Sequence, residues 1–60
     1  MSNLKELRLN KNLSQQKLSN ISGVSRGTIV ILENKENVVT TTKTLKKLAT
    51  ALGVRIDELI

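Results

Sequence analysis

Two short segments with helical spacing, joined by a glycine-containing turn, constrain the fold of this 60-residue chain more than any other feature. Within residues 15–34, aliphatic residues recur three positions apart on each side of residues 22–24, which is the spacing of one helix face. A serine precedes each segment, and serine is a preferred N-cap. Gly23 in the turn can adopt a left-handed backbone conformation that a side chain would strain. The residues predicted to face inward are Leu18, Ile21, Ile29 and Leu32.

Similar periodicity predicts a helix before these two segments and another after them. The first helix has an inner face of Leu4, Leu7 and Arg8, a cap at Ser2 or Asn3 and a stop at Asn12. The fourth has an inner face of Leu45, Leu48, Ala49 and Leu52, begins after Thr41 or Thr42 and ends at Gly53. Asparagine and glycine both tolerate the left-handed conformation in which many helices end.

The β-branched run at residues 38–42 resembles a strand, but no second strand is available to pair with it. We therefore interpret residues 35–42 as an extended loop. A last short helical turn is expected around Leu59. Together these patterns predict an all-α fold of five short helices, forming a single domain over residues 1–60.

Composition narrows the range of functions. The chain has no cysteine and no histidine, which excludes disulfides, thiolate metal sites, cysteine nucleophiles and imidazole acid–base chemistry. Its five carboxylates show no sign of convergence, so we expect neither an enzyme nor a metal or cofactor site. A net charge of +5 favours a polyanionic partner, although many small domains carry such a charge for solubility alone. Single-stranded nucleic acid is disfavoured because no aromatic residue is available to stack on bases, which leaves double-stranded DNA.

The sequence contains no apolar run long enough to span a membrane and no hydrophobic signal core. The basic helix at residues 43–52 is a poor membrane binder, because its apolar face is needed for the core and lacks aromatic anchors. We expect a soluble, cytoplasmic protein.

A short helix, a glycine-containing turn and a second helix form the motif that lays its second helix into the DNA major groove. In this arrangement the chain resembles the Cro and phage-repressor, or XRE, family of helix-turn-helix proteins from Leu4 to Leu59. The matching segments are Leu13-Ser14-Gln15, Ser22-Gly23-Val24-Ser25-Arg26, Ile29, Leu32-Glu33-Asn34, Leu48-Ala49-Thr50-Ala51-Leu52-Gly53-Val54 and Asp57-Glu58-Leu59.

This resemblance implies a lambda-repressor-like domain whose second and third helices form the helix-turn-helix. It also implies a bacterial or phage-encoded, nucleoid-associated transcription regulator, specifically a repressor. Such a protein would bind a palindromic operator as a twofold homodimer, with half-sites about one helical turn apart. Dimer contacts would come from residues 36–42, from Leu59 and Ile60, or from a further C-terminal region. The apolar end at Ile60 is typical of a minimal or truncated DNA-binding domain.

The residues assigned to base readout on the third helix are Arg26, Gly27, Thr28 and Ile31. Arg26 can grip guanine in a bidentate way or bind a phosphate equally well. Thr28 can likewise reach either a base or a phosphate, and Ile31 can press on a thymine methyl group. Gly27 stands where relatives often carry a base-contacting side chain, so more of the specificity would depend on DNA shape.

The resemblance also assigns phosphate contacts and a structural ion pair. The phosphate-contacting residues are Gln15, Gln16, Asn34, Lys35, Lys43 and Thr44. Arg8 is expected to pair with Glu33 and hold the first helix against the end of the third, the alternative being that Arg8 lies at the surface. The chain departs from the family at Lys35, where glycine is usual, and at the apolar Val30 and Ile31.

A different class of function remains open on the same fold. The chain could be a protein-interaction or antitoxin module that holds its partner through an apolar patch. That patch would comprise Val30, Ile31, Val38 and Val39.

Overall fold

A computed structural model describes residues 1, 3–35 and 40–60, and all of their regular structure is helical. The helices are α1 (Leu4–Asn10), α2 (Gln15–Ser22), α3 (Arg26–Asn34), α4 (Thr42–Leu52) and α5 (Ile56–Leu59). The prediction of an all-α fold with five short helices is confirmed. Half of the segment interpreted as an extended loop, residues 36–39, lies outside the described residues.

Local side-chain caps begin the three central helices. Ser14 Oγ accepts a hydrogen bond from the backbone N–H of Lys17 at 3.0 Å. Ser25 Oγ and Thr41 Oγ1 do the same at the starts of α3 and α4, with donor distances of 3.3 and 3.2 Å. Each cap satisfies one of the backbone donors that a helix start leaves without a partner. The sequence predicted the two serine caps and narrowed the third to Thr41 or Thr42, because a cap depends on only a few neighbouring residues.

Left-handed residues end three of the helical segments. Gly23 follows α2 with φ 76°, Gly53 follows α4 with φ 70°, and Asn12 adopts φ 57° beyond α1. At Gly23 and Gly53 the backbone N–H donates to a carbonyl of the last helical turn, which closes the helix. A Cβ at Gly23 would have no heavy atom within 4 Å, so this glycine is required by its backbone angle and not by close packing of the helices.

The core is a cluster of aliphatic side chains contributed by all five helices. Seven of them are almost completely shielded from solvent: Leu4, Leu18, Ile29, Leu32, Leu48, Leu52 and Leu59. Helix α2 packs against both α3 and α4, and α4 also packs against α5. Helix α2 therefore connects α3 to α4.

Two apolar residues lie differently from the prediction. Ile21 was predicted to face inward, but 49% of its surface is exposed. It is about 60° around the helix axis from Leu18, so it falls at the edge of the buried face of α2. Leu59, predicted as a dimer contact, belongs to the core, and only Ile60 after it is exposed.

The N-terminal residues connect distant parts of the fold. Asn3 precedes α1 but forms no side-chain cap. Instead, its Nδ2 donates to the carbonyl oxygens of Glu58 and Ile60 at 3.1 and 3.3 Å. The Met1 amino group donates to the carbonyl oxygens of Leu32 and Lys35, at the end of α3. These long-range contacts restrain α1 against both α3 and α5.

Gly23 and Gly27 offer a matched test of the turn. Neither would bring a new Cβ within 4 Å of another atom, but only Gly23 has a positive φ. We expect Gly23→Ala to lower the free energy of unfolding by about 1–2 kcal/mol, the cost of the left-handed conformation for a residue with a Cβ. Gly27→Ala, inside a helix, should raise it by about 0.5 kcal/mol. Urea unfolding followed by circular dichroism measures both, and equal effects would contradict the assignment of strain to Gly23.

Candidate nucleic-acid interface

Helix α3 buries one side and presents the other to solvent. Ile29 and Leu32 are in the core, whereas Arg26, Gly27 and Ile31 are exposed. Gly27 lies one helical turn before Ile31, so the two positions share a face. The outward surface thus combines the guanidinium group of Arg26, the exposed backbone at Gly27 and the branched aliphatic side chain of Ile31.

Two half-buried residues lie at the margins of this surface. Thr28 Oγ1 is 2.8 Å from Ser25 Oγ, which ties its hydroxyl to the cap of the helix. A hydroxyl has one donor and two acceptor sites, so Thr28 keeps some capacity to bind another group. Val30, which the apolar patch of the alternative function would need at the surface, is also half-buried.

A buried network links the start of α2 to α1 and α3. Arg8 Nε donates to Glu33 Oε2 at 2.7 Å, and Arg8 Nη2 donates to Glu33 Oε1 at 3.1 Å. The side chains of Arg8 and Glu33 are only 8% and 1% exposed. The remaining arm of Arg8, Nη1, donates to the Leu13 carbonyl oxygen. The ion pair expected from the sequence is therefore present, with two-point geometry between planar groups.

Gln15 completes this network. Its Nε2 donates to Glu33 Oε1 at 3.1 Å, so the same carboxylate holds both Arg8 and the first residue of α2. No local pattern predicts this contact, because residues 15 and 33 meet only once the three helices have packed.

The start of α2 also leaves backbone donors available. The Lys17 N–H is taken by the Ser14 cap, and the Leu18 N–H donates to the Ser14 carbonyl. The N–H groups of Gln15 and Gln16 lie before the first hydrogen bond within the helix, so they have no helical acceptor. Such donors at a helix start suit an anion. Gln16 is exposed, and its side-chain amide donates to Asn20 at 3.0 Å.

The other predicted phosphate-contacting residues lie at the end of α3 and the start of α4. Asn34, Lys35 and Lys43 are exposed. Lys35 has φ −120°, ordinary extended backbone, which explains how lysine replaces the usual glycine here. Thr44 is half-buried, and its Oγ1 accepts a hydrogen bond from Thr41 Oγ1, so its hydroxyl is part of the α4 cap.

The cations on these surfaces are not neutralised by described carboxylates. Within residues 1, 3–35 and 40–60 the ion pairs are Arg8–Glu33 and the exposed Arg55–Asp57. The same residues contain no group of carboxylates placed to hold a metal ion. None of the described helices is long and apolar enough to cross a membrane.

A family model described as helix-turn-helix, HTH_3, matches residues 4–59. The chain belongs to this helix-turn-helix family. Its fold is therefore lambda-repressor-like, with α2 and α3 as the helix-turn-helix, and the resemblance to Cro and phage repressors is confirmed. Membership identifies a DNA-binding domain of the kind used in transcription regulation. No curated protein and no solved structure matched the chain significantly.

The buried pair of this helix-turn-helix domain yields a stability prediction. Glu33→Leu strands the Arg8 guanidinium in a shielded site and should lower the free energy of unfolding by about 3–5 kcal/mol. The double variant Arg8→Met/Glu33→Leu removes both charges and should recover most of that loss. Urea unfolding followed by circular dichroism measures the free energy of unfolding of both variants. If the single variant has no helical signal even without urea, that result also agrees with the expected destabilisation.

The exposed Arg55–Asp57 pair serves as the control. Its side chains are 80% and 68% exposed, so Asp57→Asn should change stability far less than Glu33→Leu. If the double variant at residues 8 and 33 is no more stable than Glu33→Leu, burial of an unpaired charge is not the cause of the loss.

Proposed function

We propose that this domain is a sequence-specific, double-stranded DNA-binding repressor. In this proposal α3 enters the major groove, and two copies occupy a palindromic operator as a twofold dimer. The observation that carries it is the outward face of α3. Arg26, Gly27 and Ile31 are exposed on a helix whose opposite side is fixed in the core.

The buried network supports this placement of α3. Glu33 accepts from both Arg8 and Gln15, so one carboxylate fixes the end of α3 relative to α1 and the start of α2. If Gln15 binds a DNA phosphate while α3 lies in the major groove, the hydrogen bonds of Glu33 would set the distance between the phosphate contact and the base contacts. Phosphate contacts fix position, and base contacts supply specificity.

In the proposed complex, the outward residues of α3 supply base readout by different means. Arg26 would donate to guanine O6 and N7, and Ile31 would contact a thymine methyl group. Thr28 would contribute through the capacity left on its hydroxyl. Gly27 presents no side chain, so the backbone of α3 can lie close to the base edges there.

The residues flanking α3 would hold the phosphate backbone. Attraction between the +5 domain and DNA would be strongly salt-dependent and independent of sequence. The proposed phosphate-contacting residues are Gln15, Gln16, Asn34, Lys35, Lys43 and Thr44.

Repression by such a domain would follow from occupying the operator and excluding other proteins from it. Of the predicted dimer contacts, Ile60 is 67% exposed and Thr41 and Thr42 lie at the surface, whereas residues 36–39 are outside the described residues.

Sedimentation with full-site and half-site duplexes tests the dimer. We expect two copies on the full site and much weaker binding to the half-site.

The second candidate is a protein-interaction or antitoxin module. Ile31 favours it, because 48% of this apolar side chain is exposed on α3. Of the other residues that this candidate requires, Val30 is half-buried, and Val38 and Val39 lie outside the described residues. This candidate predicts no measurable binding to duplex DNA at low salt.

Titration against selected and random duplexes at several salt concentrations tests the DNA proposal. Arg26→Ala should cost about 1–3 kcal/mol on the selected site and relax preference at one base pair. Lys43→Ala should weaken binding to all duplexes by a similar factor, and it should reduce the magnitude of the slope of log K against log salt by about one. Lys5→Ala, with the same charge change on α1, is the control and should change the slope less. A uniform loss across all sequences with Arg26→Ala would show that Arg26 binds a phosphate.

Replacing single thymines by uracil in the selected site tests Ile31. At one position, loss of the methyl group should weaken binding about fourfold. This factor corresponds to the roughly 0.8 kcal/mol that burial of one carbon contributes. In Ile31→Ala the same DNA change should have no effect, because the contact is already lost. An undiminished effect in Ile31→Ala would assign that methyl group to another residue.

A further inference from the structure

A groove between the end of α2 and the length of α4 has no part in the proposed base readout. It is open to solvent, has a volume of about 500 Å³, and we call it the α2–α4 groove. Its lining residues are Ile21, Ser22, Lys43, Lys46, Lys47, Thr50 and Ala51. Lys43 is also a proposed phosphate contact, whereas Ile21, Lys46, Lys47 and Thr50 have no function assigned above.

The groove combines an apolar floor with a cationic rim. Ile21 is half-exposed at its α2 side, and Ala51 is half-buried at its α4 side. Lys43, Lys47 and Ala51 follow one another at four-residue spacing along α4, so they form one row on the helix. The aliphatic stems of lysine extend the apolar surface while the ammonium groups stay in water.

The charge of the groove is of one sign. Three of its seven lining residues are lysines and none is acidic. The described ion pairs, Arg8–Glu33 and Arg55–Asp57, involve none of these lysines. Lys17 lies one turn before Ile21 on α2 and is also exposed, which extends the positive field along the groove.

We propose that the α2–α4 groove is a docking site for an acidic segment of another protein that carries an apolar side chain. Its carboxylates would pair with the rim lysines Lys43, Lys46 and Lys47, and its apolar side chain would cover Ile21. This complementarity of charge and of apolar surface selects the occupant, since carboxylates alone would leave Ile21 uncovered.

Other occupants fit the groove less well. Two copies placed groove to groove would bring lysines against lysines. A second copy could instead offer its exposed carboxylates to the groove. Among the described residues these are Glu6, Asp57 and Glu58, of which Asp57 already pairs with Arg55 and Glu58 caps α5. A membrane would gain little apolar burial from one isoleucine with no aromatic neighbour. A DNA phosphate offers no apolar group to cover Ile21.

The test uses the full chain and defined probes. A short fluorescent amphipathic peptide of Glu and Leu is titrated by anisotropy, and its binding site is mapped by amide chemical-shift changes. We expect saturable, salt-sensitive binding, with shift changes confined to the end of α2 and to α4. Lys46→Glu/Lys47→Glu should weaken binding at least about tenfold, and Ile21→Ser about fivefold.

Helix α1 supplies matched controls. Lys5→Glu/Lys11→Glu makes the same change of net charge, and Leu9→Ser removes an aliphatic side chain of similar exposure, 53% against 49% for Ile21. Neither control should weaken peptide binding more than about twofold. A Glu/Ser peptide of equal charge should bind several-fold more weakly than the Glu/Leu peptide.

Four results would overturn the proposal. They are no saturable binding, equal loss in the α1 controls, equal binding of the Glu/Ser peptide, and shift changes centred on α3. Tighter binding to vesicles of equal parts phosphatidylcholine and phosphatidylglycerol, sensitive to Ile21→Ser, would reassign the groove to a membrane. Concentration-dependent shifts at the groove without peptide would reassign it to a second copy of the chain.

Discussion

The geometry of the helix-turn-helix depends on the buried pair between Arg8 and Glu33. Its two-point contact joins α1 to α3, and the same carboxylate holds Gln15 at the start of α2. Removing both charges from water is costly, so such a pair contributes less net stability than its short distances suggest. Its main effect here is orientation: an apolar pair of similar volume could fill the space, but it could not hold the Gln15 amide.

The remaining stability comes from a small aliphatic core and from local helix caps. A 60-residue chain buries limited apolar surface, and this one lacks aromatic side chains to enlarge it. Seven shielded aliphatic residues form the centre, and Ser14, Ser25 and Thr41 each satisfy a backbone donor at a helix start. In so small a core, each cap contributes a noticeable share of the total free energy of folding, about 1 kcal/mol.

Features set by neighbouring residues could be predicted from the sequence, and features set by packing could not. Three caps and the left-handed residues Asn12, Gly23 and Gly53 follow from a few adjacent residues. Ile21 was misjudged because periodicity locates a helix face without defining its edges. The contacts of Asn3, Met1 and Gln15 span from 18 to 57 residues of sequence, so no local pattern shows them. The Arg8–Glu33 pair was anticipated through the family resemblance. The assignment of residues to DNA contact depends on that same resemblance and on their exposure. Exposure identifies the surface that can meet DNA, but it does not identify the bases that this surface reads.

The two proposed surfaces differ in chemistry and meet at one residue. The face of α3 has a single guanidinium group beside bare backbone and an aliphatic side chain, whereas the α2–α4 groove has lysines around an apolar floor. Lys43 lies at the start of α4 and belongs to both proposed contacts. A phosphate and a partner carboxylate would therefore compete for its ammonium group. Coupling between binding sites is reciprocal, so an acidic partner in the groove would weaken DNA binding by the same factor that DNA weakens the partner. The loss would fall on the phosphate contact and leave base preference at Arg26 unchanged, because competition at Lys43 removes affinity that every sequence shares.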